Sequence, residues 1–264
     1  MPRKSLRTIL QITLLGVLLG TSSTAYADAD TSIKFKNFSL STPGNNVITF
    51  GEWQPTITGI AELEGVVVDE TLNTLQLFVT TPRIPGAGVS FARGGGLIDT
   101  VNLLNLSGTA LAPVFVNGCT CSGSALGQFV LSNTFIVTGG TGSVDVTLAL
   151  TLETIQGLNL DQFDIFGSSQ VMFELAVDGT TIFSYDNLIS SSTPGSFTLV
   201  QLSEVLSRTL TLQFNTPHTI TFTGTARSAA SAEIPEPATL FLLVSGLGFM
   251  GGVVKKRRGT FSAR

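Results

Sequence analysis

Histidine is almost absent from this chain: His218 is the only one in 264 residues. A Ser-His-Asp or Cys-His nucleophilic site would have to be built on that one residue, and the usual imidazole ligand sets of catalytic metals cannot be assembled. His218 itself falls in Asn215-Thr216-Pro217-His218, between two strand-like runs, where a solvated turn residue is expected. Cysteine is nearly as scarce. Cys119 and Cys121 are separated by Thr120 alone, so a bond between them closes a small, strained ring, and two thiolates are too few for structural zinc. They read as a loop disulfide or as two free thiols in a Gly/Ser-rich turn, with a redox or attachment role as the functional alternative.

Positive charge is missing from the middle of the chain. Between residues 28 and 234 there are six basic residues (Lys34, Lys36, Arg83, Arg93, Arg208 and Arg227) against 17 acidic ones, a net charge of −11, while the whole chain carries only −4. Such a body cannot neutralise phosphates, which excludes nucleic acid as a partner, and it does not adhere electrostatically to an anionic membrane. Long helical periodicity is also missing there, with only Leu202 to Leu206 fitting a single helical turn. No repeat of fixed length is present, which argues against a solenoid or propeller.

What the middle does contain is period-two alternation. Val144, Val146, Leu148, Leu150 and Leu152 alternate with Asp145, Thr147, Ala149 and Thr151, one face for a core and one for water. Val171 to Val177 repeats the pattern, Asp178-Gly179 supplies a turn tolerant of positive φ, and Thr181 to Tyr185 returns. Thr209 to Phe214 and Thr219 to Thr223 read as a further hairpin across Asn215 to His218. Weaker strands are expected at 33–40, 47–50, 57–68, 72–80, 97–106 and 129–137. The Pro- and Gly-rich segment Thr81 to Gly96, which includes Gly94-Gly95-Gly96, reads as a long loop, and Ala226 to Ile234 as a flexible stalk. These features predict an all-β domain over 28–225, an antiparallel β-sandwich of jelly-roll or Ig-like type.

Both ends read as targeting segments. Arg3, Lys4 and Arg7 precede an apolar stretch from Ile9 to Leu19 and the small-residue site Ala25-Tyr26-Ala27, the parts of a secretory signal peptide over 1–27, read by the Sec export route and cut by signal peptidase after Ala27. At the other end, Pro235-Glu236-Pro237 precedes an uncharged apolar run from Ala238 to Val254. The basic cluster Lys255, Lys256, Arg257 and Arg258 follows, and then a tail over 259–264. As a helix the run reaches about 26 Å, close to the roughly 30 Å of a hydrocarbon core, and the cluster marks its cytoplasmic side as a stop-transfer signal. The two prolines hold Glu236 in an extended segment just outside the bilayer.

The ordered set over 235–258 resembles the PEP-CTERM sorting signal of exported proteins in exopolysaccharide-producing Gram-negative bacteria. It covers about a tenth of the chain, and the body is assigned to no family. The resemblance implies recognition of Pro235, Glu236 and Pro237 by an exosortase-type membrane protease, a transient stay in the inner membrane, and delivery to the cell surface or extracellular matrix. A structural or adhesive, non-catalytic role, with exopolysaccharide as a partner, is then expected. The alternatives are a carbohydrate-active hydrolase working through carboxylates, and a permanently anchored single-pass envelope protein.

Three features of the body bear on these. Trp53, the only tryptophan, is the candidate for stacking on a sugar ring, against the commoner use of a lone Trp in packing. Glu62 with Glu64, and Asp161 with Asp164, are carboxylate pairs for a hydrolase. Asp161, Asp164 and Asp186 are candidate calcium ligands; no other cofactor is expected.

Overall fold

The computed structural model describes residues 27–63, 65–73, 76–80, 93–99, 105–111, 120–161 and 164–233. The described residues form thirteen strands: β1 (Ala27–Ser41), β2 (Val47–Phe50), β3 (Gln54–Leu63), β4 (Val66–Leu72), β5 (Gln76–Thr80), β6 (Arg93–Asp99), β7 (Asn105–Leu111), β8 (Thr120–Thr138), β9 (Ser143–Leu160), β10 (Asp164–Val177), β11 (Thr180–Ser191), β12 (Phe197–Gln213) and β13 (Pro217–Glu233). One sheet has the order β12-β9-β1-β7-β6-β5, and the other β11-β10-β13-β8-β3-β4 with β2 added alongside β8. Every pairing is antiparallel.

The alternation that predicts strands also decides which face meets the other sheet. Along β9 the even-numbered residues from Val144 to Leu160 are all buried, and the odd-numbered ones are not. The even-numbered ones from Val144 to Leu152 share one core cluster with Phe129, Leu131 and Phe135 of β8, Phe173 of β10 and Phe222 of β13. Phe35 of β1 sits between the sheets, 5.4 Å from the ring of Phe129 and 4.4 Å from that of Phe173. Burying one such side chain stabilises by about 1.5–3 kcal/mol, against about 1 kcal/mol net for a hydrogen bond, so this aromatic zone is the main adhesive between the sheets.

Towards the other end of the strands the interior changes character. Ala29, Thr31, Gln156, Ser169, Ala226, Ser228, Ala230 and Ala232 are all buried there. The polar members largely satisfy one another: Thr31 Oγ1 lies 2.5 Å from Ser169 Oγ and donates to the Arg227 carbonyl, and Gln156 Nε2 donates to the carbonyls of Ser169 and Asn187.

Several expectations need correction. Leu202 to Leu206 is extended within β12, because each residue pairs with β9 from Thr154 down to Leu150. The runs on either side of Asn215 do not form a hairpin: β12 pairs with β9 and β13 with β8 and β10, so the chain crosses between sheets there. Ala226 to Glu233 is not a stalk but the second half of β13, bonded on both sides, from Ala226 opposite Val171 and Gly127 to Ala232 opposite Asp164 and Cys121. Small side chains there carry little hydrophobic signal, yet Ala226, Ala230 and Ala232 are buried. Gly94-Gly95-Gly96 lies in β6 between β5 and β7 rather than in a loop; residues 81–92 lie outside the described residues.

The strand expected over 57–68 is broken into β3 and β4 by a turn at Gly65, whose φ is +75°, whereas the expected turn after Val177 is present. Asp178 and Gly179 both adopt positive φ, +50° and +74°, in the tight turn joining β10 to β11. Most of the signal peptide, and the whole tail from Ile234 to Arg264, lie outside the described residues. Among the described residues no helix is long and apolar enough to cross a membrane.

Candidate functional site

Among the described residues, the outer face of the first sheet holds an open groove. Registers place three strands side by side in rows: Asp28, Asn159 and Phe197; Asp30, Gly157 and Leu199; Ser32, Ile155 and Gln201; Lys34, Glu153 and Ser203; and Lys36, Thr151 and Val205. Rows two residues apart are separated by about 6.6 Å, so the ladder extends over about 26 Å. Its third and fourth rows line that open groove of about 310 Å³, bounded by Ser32, Lys34, Glu153, Ile155, Gln201 and Ser203.

The chemistry of this face is mixed along its length. Lys36 Nζ lies 2.5 Å from Glu153 Oε2, which fixes the carboxylate at one side of the groove. Gln201, Ser203 and Ser32 contribute an amide and two hydroxyls able to donate and accept. On the other side Ile155, Leu199 and Phe197 form an exposed apolar step, 37 %, 51 % and 70 % accessible. Gly157 lies beside that step: a Cβ there would make only ordinary contact, with Leu199 Cδ1 at 3.9 Å and Asp30 Cβ at 4.0 Å. Partial burial pushes Asp28 and Asp30 above the usual carboxylate range; Asp30's charge adds to the rise for Asp28, and the backbone N–H of Thr31 offsets part of it for Asp30.

The residues singled out from the sequence lie elsewhere. Trp53 does not stand free as a platform: it stacks on Phe50 at 5.8 Å and 24°, meets Phe38 edge-on at 6.4 Å, and lies 6.2 Å from Phe222. Its partly buried ring belongs to the rim of the core cluster. Glu62 is exposed on β3 and accepts from Ser124 Oγ at 3.3 Å; Glu64 lies outside the described residues, as does Cys119. Cys121 is placed by its backbone in β8, opposite Ala232.

The three aspartates do not converge. Asp164 is fully buried at the start of β10; one carboxylate oxygen accepts the backbone N–H of Asp161, and the other, Oδ1, has no partner. Burial pushes its carboxyl up to about 6, partly countered by the Asp161 N–H and reinforced by the Asp161 charge. Asp186 sits on β11 opposite Met172 and accepts from Gln170 Nε2 at 3.0 Å. Met172 is eight residues along β10 from Asp164, about 26 Å at about 3.3 Å per residue. Among the described residues no three His, Cys, Asp or Glu side chains are grouped to hold a metal ion.

His218 corrects the sequence reading most sharply. It is 5 % exposed within β13, with Nδ1 2.6 Å from Asp178 Oδ2 and Nε2 3.0 Å from the Gln213 carbonyl. An Asp-His pair is two thirds of a nucleophilic triad, but the second ring nitrogen faces a backbone carbonyl, which has no proton to give. The arrangement pins a turn to a strand crossing.

Sequence reasoning missed the groove because its walls come from segments around Ser32, Glu153 and Gln201. Alternation showed which residues of β1 and β9 point outward, but not that these strands and β12 are neighbours. No known protein family, curated protein or solved structure matches this chain.

Proposed function

We propose that this is an exported β-sandwich protein of a Gram-negative cell surface or extracellular matrix, with a non-catalytic structural or adhesive role and an exopolysaccharide as its ligand. In this reading Pro235, Glu236 and Pro237 address the chain to an exosortase-type protease, and the apolar run over 238–254 holds it in the inner membrane until then. The observation that carries the ligand is the ladder on the first sheet. The ladder, about 26 Å long, matches several sugar units laid along it, with the hydroxyl and amide groups of the groove near its middle and an aliphatic-aromatic step beside them. Sugars present that same pairing of hydroxyl edges and C–H faces, and the fixed Glu153 carboxylate is an acceptor for ring hydroxyls.

A second feature supports surface display. The described body begins at Ala27, opposite Leu160, and ends at Glu233, beyond Ala232 and its partner Asp164, so both ends leave from the end of the strands that holds the Asp161 loop. A membrane held by the tail then lies at that end, and the groove on the flank stays open to solvent.

The test is binding of the full-length chain, in mild detergent, to the host exopolysaccharide by titration calorimetry. Gln201→Ala combined with Ser203→Ala is expected to weaken binding at least tenfold with unfolding unchanged. Equal binding by that variant removes the groove from the reading, and release of free sugar replaces it with a hydrolase.

A further inference from the structure

We infer that the free edge of β12 is a self-association surface, and that it takes β12 of a second copy of this chain, laid antiparallel about a two-fold axis at Leu206. β12 is the outermost strand of its sheet, bonded to β9 alone over 17 residues without a register shift. Long edge strands ordinarily carry a proline, a lysine or a bulge that blocks further pairing. Phe197 to Gln213 has none of these and is rich in Leu, Val and Thr; its two charges, Glu204 and Arg208, are of opposite sign. The other described edges are shorter: β2 has four residues, β5 five and β4 seven, while β11 has twelve and meets β10 with a register shift. The two most exposed large apolar side chains among the described residues, Val205 at 73 % and Phe197 at 70 %, are both on β12.

The charges select the partner. Glu204 and Arg208 lie on the same face, four residues or about 13 Å apart, too far to meet within one strand. Among the described residues Glu204 has no ion-pair partner, and Arg208 spends Nη1 on the Ile182 carbonyl at 3.2 Å, leaving the rest of its guanidinium open. With the axis at Leu206, Glu204 faces Arg208 of the second copy and Arg208 faces its Glu204, each opposed pair about 5 Å apart at Cβ. The same register sets Val205 opposite Ser207 of the second copy and makes the two Val205 side chains diagonal neighbours. An axis at Glu204 would set the two carboxylates against each other. The join makes the two first sheets continuous and puts both grooves on one face, so a single polymer chain can engage two sites.

The test uses the full-length chain in mild detergent, with mass read by light scattering. The wild type is expected to be a dimer. Glu204→Arg and Arg208→Glu should each raise the dissociation constant at least tenfold, and the double swap should restore it. With Cys119 and Cys121 replaced by Ser, Val205→Cys and Ser207→Cys chains should form a disulfide when mixed and oxidised. A monomeric wild type, or a dimer indifferent to Glu204→Arg, overturns the surface. Val205→Cys chains that bond to themselves and not to Ser207→Cys chains overturn the axis at Leu206. Polysaccharide binding by the single-swap monomers is read separately, so the groove and this edge stand or fall independently.

Discussion

The Nδ1 of His218 lies 2.6 Å from the Oδ2 of Asp178, joining the β10–β11 turn to the start of β13. Asp178 does more than pair with the ring: its Oδ1 accepts the Thr219 N–H at 2.7 Å, and its own N–H donates to the Thr219 carbonyl at 2.8 Å. It also holds φ +50°, a region that Asp and Asn tolerate better than Ala. Asp178→Asn keeps the backbone and one acceptor but loses the charge-assisted bond, and should cost about 1.5 kcal/mol. Asp178→Ala adds backbone strain and an unpaired Thr219 N–H, and should cost about 3 kcal/mol. Urea unfolding at constant m-value measures both; an Asp178→Asn variant as stable as the wild type would show that the carboxylate contributes nothing beyond shape.

Asp164 predicts an unusual pH dependence. An unfolded aspartate titrates near 3.8, whereas burial lifts this carboxyl to about 6 in the folded chain. Between those values the folded state keeps a proton that the unfolded state has lost. Stability therefore falls as pH rises through this window and levels off above it. The difference corresponds to about 3 kcal/mol at most. Asp28 and Asp30 shift in the same direction and add to the slope. Thermal unfolding from pH 4 to 7 should show the decline, and Asp164→Asn should flatten it; an unchanged slope in that variant assigns the effect to the other two.

The strands were legible where large apolar residues alternate, as along Val144 to Leu152, and the turn where Asp178-Gly179 demands positive φ. Two kinds of information were not. Ala226 to Glu233 joins the sheet through its backbone, with side chains too small to give a hydrophobic period, so composition alone mimics a linker. His218 looks polar and turn-bound because its partners, Asp178 and Gln213, are chosen by the path of the chain between sheets. The groove is the same problem enlarged: Lys34, Glu153 and Ser203 occupy one row only after β1, β9 and β12 are placed side by side.

Two glycines with opposite surroundings test the packing. A Cβ on Gly224 would sit 2.1 Å from Cζ of Phe129, a fully buried ring already in edge contact with Phe35. Gly224→Ala should cost about 3 kcal/mol, since neither ring can retreat, and Phe129→Leu in the same chain should recover part of the loss. Gly157 faces solvent with neighbours at 3.9–4.0 Å, so Gly157→Ala should be neutral or stabilise by about 0.5 kcal/mol. Similar costs for both, read from urea midpoints, would contradict the close approach of β13 to β8 at Phe129.

The junction between body and tail bears on processing. β13 stays paired with β8 as far as Glu233 opposite Thr120, and Ile234 alone separates it from Pro235. Proteases cut segments that can be drawn out extended, and cutting tracks how often a paired segment opens. On the proposed reading, the protease must therefore wait for the last residues of β13 to fray, or work hard against the body. Inserting six Gly/Ser residues between Glu233 and Ile234 should speed removal of the tail several-fold in a host with an exosortase system, followed by mass spectrometry of pulse-chased protein. The wild-type product should begin at Asp28 and end near Pro235 to Pro237. An unchanged rate on insertion would mean that the segment is already accessible, and a wild-type product that keeps Lys255 to Arg264 would make this a permanently anchored envelope protein.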